Sequence, residues 1–190
     1  MGTIADEVKK CIEVMRAGGV ILYPTDTVWG IGCDATNADA VKKVFEIKKR
    51  CDSKAMLLLV DSADRLARYV GNVPSVAWDL IELSDKPLTI IYDGARNLAP
   101  NLIAEDGSVG IRVTSEMFSK ELCYRFQKAV VSTSANISGE ETPNNFSEIS
   151  PEIIDAVDYV VNYKQLEKDK AKSSSIIKLT ENGTVTIIRP

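Results

Sequence analysis

GGVILYPTDTVWGIGCDATN, residues 18–37, holds two short β-type runs on either side of a chain reversal. Val20–Tyr23 is rich in β-branched residues and is broken by Pro24, and a second run covers Val28–Cys33. Thr25, Asp26 and Thr27 therefore fall in the turn between two strands, where hydroxyls and main-chain N–H groups can converge on a ligand, although these are also ordinary residues for a plain turn. Gly30 and Gly32 flank Ile31 inside the second run and predict a close approach by another backbone or a ligand. A dinucleotide-binding fingerprint is absent, because the third glycine and the following helix of that pattern are missing.

Outward from this stretch, strand and helix signals alternate. Ile4, Val8, Cys11, Ile12 and Met15 recur at helical spacing before Gly18-Gly19. Asn37 is placed to cap a helix whose Ala40, Val41, Val44 and Phe45 form one apolar stripe. Residues 56–60, 88–92, 109–113 and 129–132 read as strands. Helices are expected after Pro74-Ser75, carrying Val76, Trp78 and Leu80, and near 115–127. Residues 175–179 and 185–189 flank Glu181-Asn182-Gly183 as a hairpin. The expected class is α/β, with one mixed sheet and flanking helices. At 190 residues the chain suits a single domain spanning 1–190.

Composition narrows the chemistry. There are 23 Lys plus Arg against 27 Asp plus Glu, a net charge of −4, and no histidine. That zero excludes the Ser-His-Asp triad, the Cys-His pair, His-ligated zinc and any imidazole acid or base. Cys11, Cys33, Cys51 and Cys123 show no C-x-x-C spacing, so reduced thiols in a cytoplasmic protein are expected. No apolar run approaches a membrane span, and the N-terminus is no signal peptide.

Between Lys42 and Lys54 the local excess is +4, with six Lys or Arg against two acids. Lys42, Lys43 and Lys49 suit the wet face of a helix. Lys48 lies four residues after Val44 and seven after Val41, on the buried stripe, where an ammonium needs an anionic partner or a water-filled cleft. Arg50 follows at the helix end, where the dipole also favours a cation. Together the two could clamp a phosphate chain. Farther on, Ser132, Thr133, Ser134 and Asn136 crowd small hydroxyl and amide groups after a strand. They suit a binding pocket floor or a capped helix start better than a nucleophile, since no imidazole or S-x-x-K pattern accompanies them. Residues 164–175 are charged and poor in apolar groups. That segment reads as a solvated connection, with a flap over a site as the alternative.

Taken in order, these segments resemble the YrdC/TsaC family of threonylcarbamoyl-AMP synthases. The likeness rests on YPTDTVWGIGCDATN (23–37), the KxR at Lys48-Lys49-Arg50, GSVGIRV (107–113), STSAN (132–136), SSSIIKL (173–179) and IIRP (187–190). Lys48 and Arg50 with Ser134 and Asn136 resemble the KxR and SxN signature of active synthases, from which the paralogous YciO-like branch commonly departs. The resemblance implies a twisted sheet around a large concave, positively charged cavity. It implies synthesis of threonylcarbamoyl-AMP and pyrophosphate from L-threonine, bicarbonate and ATP, with Mg2+ carried in by the nucleotide. Partner proteins would use the product to modify tRNA adenosine.

By that likeness Thr25, Arg112 and Ser174 would hold threonine. Lys48, Arg50, Thr133, Ser134, Asn136 and Arg189 would bind ATP, with Lys48 and Arg50 neutralising charge as it develops. The metal ligands are open. Two departures stand out. Ser173-Ser174-Ser175-Ile176 replaces a Pro-Ser-Thr-Ile run, which should loosen that loop. The chain stops at Pro190, which predicts the form without the extra C-terminal domain of longer relatives. The rival readings are a YciO-like paralogue and a double-stranded RNA-binding protein of the same fold; contact with tRNA is a further expectation from the family.

Overall fold

The computed structural model describes residues 3–49, 56–168 and 172–190. Within them run helices α1 (Ile4–Arg16), α2 (Ala38–Ile47), α3 (Leu66–Tyr69), α4 (Val76–Glu82), α5 (Met117–Phe126) and α6 (Pro151–Ala156). The strands are β1 (Ile21–Tyr23), β2 (Gly30–Gly32), β3 (Leu57–Val60), β4 (Leu88–Tyr92), β5 (Val109–Val113), β6 (Val130–Ser134), β7 (Tyr159–Val160), β8 (Ser175–Leu179) and β9 (Val185–Arg189). They form one sheet in the order β7-β1-β2-β6-β3-β5-β4-β8-β9. β1/β7, β3/β5 and β4/β8 pair parallel, and the other neighbours pair antiparallel. This is the mixed α/β sheet with flanking helices that the sequence predicts.

Local chemistry accounts for the elements. Thr3 and Asp6 cap α1 reciprocally, and its stripe of Val8, Cys11, Ile12 and Met15 is buried. The α1 helix lies against α5 and β1, and α5 lies against β3. Asn37 caps α2 as expected, accepting from the N–H groups of Asp39 and Ala40. At β2, a Cβ on Gly32 would sit 2.5 Å from the Val131 carbonyl and 2.6 Å from the Tyr23 ring, so the sheet closes there only around glycine. The β8–β9 turn uses Gly183 at φ 85, and Thr180 pairs with Thr184 across it.

Three elements go beyond the expectations. Helices α3 and α6 span four and six residues and β7 only two, too short for a readable period. Helix α4 forms where expected, but Trp78 is 38% exposed and only Ala77 is fully buried.

Register separates the two faces of the sheet. Leu58, Ile111, Ile90 and Ile177 pair successively across β3, β5, β4 and β8 and are all buried in the core. The alternate row pairs Leu59, Arg112, Thr89, Ile176 and Arg189 from β3 to β9. Because paired residues share a face, this row turns two guanidiniums to the side opposite the apolar core. On that side Gly30 pairs with Ser134, and Leu57 with both Ser132 and Gly110. Small residues there leave a hollow.

Candidate functional site

The hollow is a cleft of about 260 Å³ over β2, β6, β3, β5 and β8. Among the described residues, two arginines, Arg112 and Arg189, line it with seven serines and threonines, and no carboxylate does. Gly30 forms part of its floor: a Cβ there would press to 3.2 Å from Ser132 Oγ. The cleft can therefore offer charge and hydroxyl donors to an anionic ligand.

Each predicted residue among those described has a definite place. Arg112 is 2% exposed; its Nη2 lies 2.9 Å from Asp26 Oδ1 and donates to Thr27 Oγ1 at 3.2 Å. Thr133 and Ser134 end β6 at the cleft wall. Ser174 is 2% exposed, shares a hydroxyl hydrogen bond with Thr89 at 2.9 Å, and accepts Arg189 Nε and Nη2 on its carbonyl at 2.9 and 2.7 Å. Two side chains from neighbouring strands hold it without a proline. In return, the fork on Ser174 fixes Arg189 at the edge of the cleft.

Lys48 closes α2 as its C-cap and is 2% exposed. Its ammonium donates to the main-chain carbonyls of Ser134 at 2.5 Å and Asn136 at 2.7 Å. The Ser138 N–H donates to the Lys48 carbonyl at 2.9 Å. Lys48 thus joins the first element of KxR directly to SxN. Sequence spacing correctly places it on a buried stripe, and carbonyl dipoles supply acceptors that such spacing cannot name. The Asn136 amide donates to the carbonyls of Ile137 and Glu140, leaving Oδ1 buried without a hydrogen bond. Arg50, the other predicted clamp residue, and Cys51 lie outside the described residues.

Thr25 does not reach the main cleft. Its hydroxyl donates to the Val28 carbonyl at 2.8 Å and accepts from the Thr27 N–H, shaping the turn. It lines a neighbouring hollow of about 160 Å³ with Trp29, Asn144 and Asn145, and Thr27 borders both spaces. Thr27, Thr142, Ser173 and Met56 are cleft residues that sequence reasoning did not single out as ligands. Only Thr27 carried a signal, through its place in the strand-to-strand turn.

Among the described residues, no thiol lines the cleft. Burial pushes Cys11 up to about 12 and raises Cys33 and Cys123 as well. Among the described residues no three Cys, Asp or Glu side chains converge to hold a metal ion. No helix among them is long and apolar enough to cross a membrane.

The sequence matches a protein-family model covering Sua5, YciO and YrdC, described as "Telomere recombination", over residues 13–190. A threonylcarbamoyl-AMP synthase from Pseudoalteromonas translucida (strain TAC 125) is 33% identical over 154 residues, covering 80% of this chain and 82% of that protein. Among solved structures, P. abyssi Sua5 complexed with L-threonine superposes with a TM-score of 0.84 at 21% identity. That match covers 96% of this chain but 53% of the P. abyssi chain, so the present chain spans about half of that protein. E. coli YciO superposes with a TM-score of 0.83 at 24% identity, over 100% of this chain and 90% of that one. At these identities the two structures establish the fold alone.

Proposed function

The chain belongs to the Sua5–YciO–YrdC family, and on that premise we propose that it is an L-threonylcarbamoyladenylate synthase, a nucleotidyltransferase. Its substrates are L-threonine, bicarbonate and ATP. Its products are threonylcarbamoyl-AMP, pyrophosphate and water. The observation that carries this reading is the cleft lining, which among the described residues has two arginines and seven hydroxyl side chains but no carboxylate, in a chain of net charge −4. In an acidic protein, a hollow lined by arginines and hydroxyls with no carboxylate among its described lining residues suits an anionic ligand.

The reaction asks little of side-chain proton chemistry. The threonine amine joins bicarbonate with loss of water to give a carbamate. A carbamate oxygen then attacks the α-phosphorus of ATP, and pyrophosphate leaves. Such transfers depend on holding the reactants in line and on stabilising charge over the phosphate oxygens. Arg112 takes the threonine carboxylate, with Ser174 at the same wall. Thr133, Ser134 and Arg189 face the nucleotide. Lys48 keeps the Ser134–Asn136 segment in register and adds positive charge behind it, and Arg50 is assigned to the phosphates by the resemblance. Thr25 acts through the turn that sets Thr27 at the cleft. Magnesium enters on ATP; hydroxyl oxygens such as those of Ser134 and Thr142 are hard donors suited to completing its shell. The setting is the cytoplasm, and tRNA-modifying proteins consume the product.

The test is pyrophosphate release from Mg-ATP, with threonine and bicarbonate omitted in turn. Dependence on both is the expected result. Release that ignores both substrates would return the chain to a nucleotide-binding α/β protein of another activity.

A further inference from the structure

Beneath the cleft wall lies a buried hydroxyl to which no role has yet been given. Thr89 stands on the cleft-side row of β4, paired with Arg112 on β5 and with Ile176 on β8, and it is 2% exposed. Its methyl group points toward β5, where a Cβ added to Gly110 would meet Thr89 Cγ2 at 3.5 Å. Its hydroxyl points toward the neighbour on the other side and lies 2.9 Å from Ser174 Oγ. A β-branched side chain has few rotamers, so packing on the methyl fixes the direction of the hydroxyl.

Counting protons gives the sense of that hydrogen bond. A hydroxyl has one proton to donate and two lone pairs with which to accept. Among the described residues, Ser174 Oγ is the one hydrogen-bond partner of the Thr89 hydroxyl. A buried proton left without an acceptor is costly, so Thr89 donates and Ser174 accepts. Arg189 Nη2 donates to the same Ser174 Oγ at 3.4 Å. Both lone pairs of that oxygen are then filled, and its own proton finds no acceptor among the described residues. Ser174 lines the cleft, directly before β8, on the stretch of sheet between Arg112 and Arg189. A hydroxyl that can only donate, set between two guanidiniums, suits an anionic oxygen.

We propose that Thr89 is a positioning residue of the reaction: by filling one lone pair of the Ser174 hydroxyl it directs that proton into the cleft, onto an anionic oxygen of a bound substrate. The inference rests on the synthase reading above and deepens it. Either the threonine carboxylate or an ATP phosphate can supply the oxygen, and the recognising chemistry is the same for both. Without the Thr89 hydroxyl, Ser174 is free to turn, and the ligand meets a lone pair as often as a donor.

The experiment measures equilibrium binding of L-threonine and of Mg-ATP, each alone. The proteins are the wild type, Thr89→Val, Thr89→Ser, Ser174→Ala and the Thr89→Val/Ser174→Ala double variant, with thermal melting as the control on the fold. Thr89→Val keeps the shape of the side chain and should weaken one of the two ligands by about tenfold. The ligand that weakens identifies the oxygen. Thr89→Ser keeps the hydroxyl and should recover wild-type affinity. In the Ser174→Ala background the valine should add nothing, because no proton is left to direct. Wild-type affinity for both ligands in Thr89→Val would overturn the proposal. So would an equal loss toward both, a serine variant that fails to recover, or a full second loss on top of Ser174→Ala, since each makes Thr89 a packing residue only. A wild type that binds neither ligand removes the synthase reading and this proposal with it, and no variant is needed to see that result.

Discussion

Lys48 binds two carbonyls from a strand end 86 and 88 residues away in sequence, and so couples the end of α2 to the Ser134–Asn136 segment. Truncation to Ala would take the ammonium from two part-buried carbonyls, of which Ser134 keeps the Asn136 N–H, costing about 1–3 kcal/mol of stability. The fold should survive that loss. Threonine-dependent pyrophosphate release by Lys48→Ala should fall at least about 100-fold, since small misplacement at a reacting centre costs that much. Unchanged turnover would remove Lys48 from the site. Helical spacing made the burial of Lys48 legible, because Val41, Val44 and Lys48 share one face. Its acceptors were not legible: every residue carries a carbonyl, so no letter marks which ones will face an ammonium. The Asp26–Arg112 pair was hidden for the same reason of distance. Asp26 is visible as a turn residue and Arg112 as a strand residue, but only the folded chain brings the β1–β2 turn against β5. Arg189 and Ser174 carried a motif signal, and the structure adds the fork between them.

Among the elements, legibility mostly followed length, with the three-residue β1 and β2 readable through the break at Pro24 between them. The α1, α2 and α5 helices and the five-residue strands repeat their pattern often enough to show a period. The β7 strand does not, and interactions from elsewhere set its position: Asp158 accepts from the Val20 N–H at 2.7 Å, and Glu7 of α1 accepts from the Tyr159 hydroxyl at 2.7 Å and the Asn162 N–H at 2.8 Å. Burial alone would push Glu7 up, but the Tyr159, Asn162 and Lys10 donors outweigh it and hold the carboxyl below its ordinary 4.5. A lowered folded value means that Glu7 contributes stability above about pH 4.5 and loses it as pH falls through the folded value. Thermal melting from pH 7 to 3 should therefore drop more steeply for the wild type than for Glu7→Gln, and the two curves should converge in acid. Parallel curves would show that this carboxylate does not tie α1 to β7. At β2 the constraint is steric. With the Val131 carbonyl and the Tyr23 ring both within 2.6 Å of an added Cβ, Gly32→Ala must displace strand backbone or a buried ring. Chemical denaturation should show a loss of about 1–3 kcal/mol, as for other overpacked cores.

At the scale of the whole molecule, the remaining question is whether the basic stretch after residue 42 makes this acidic protein an RNA binder. As letters, six Lys or Arg against two acids between Lys42 and Lys54 suggest a phosphate-binding patch. The folded chain spends the four cations it describes there on its own structure. Lys42 stands 3.9 Å from Glu46, Lys49 lies 2.6 Å from Glu152, Lys43 donates to the Gly18 carbonyl, and Lys48 is buried on Ser134 and Asn136. Duplex RNA is held largely through its phosphates, and each neutralised phosphate adds to the salt dependence of binding. A net charge of −4, with Glu46 and Glu152 standing beside Lys42 and Lys49, weakens this stretch as a phosphate-binding surface. Titration of the full chain against a 20-base-pair RNA at 50 and 200 mM salt should give no saturable binding tighter than about 10 µM, with an affinity that changes less than about tenfold between the two. Tight binding that collapses by about a thousandfold over that range would mean several phosphates are gripped. The positive charge of this fold would then serve a nucleic-acid surface as well as the cleft. The opposite expectation is the stronger one, because Arg112 is buried beside Asp26 and Arg189 is forked onto the Ser174 carbonyl, so neither guanidinium is set out to track a duplex backbone.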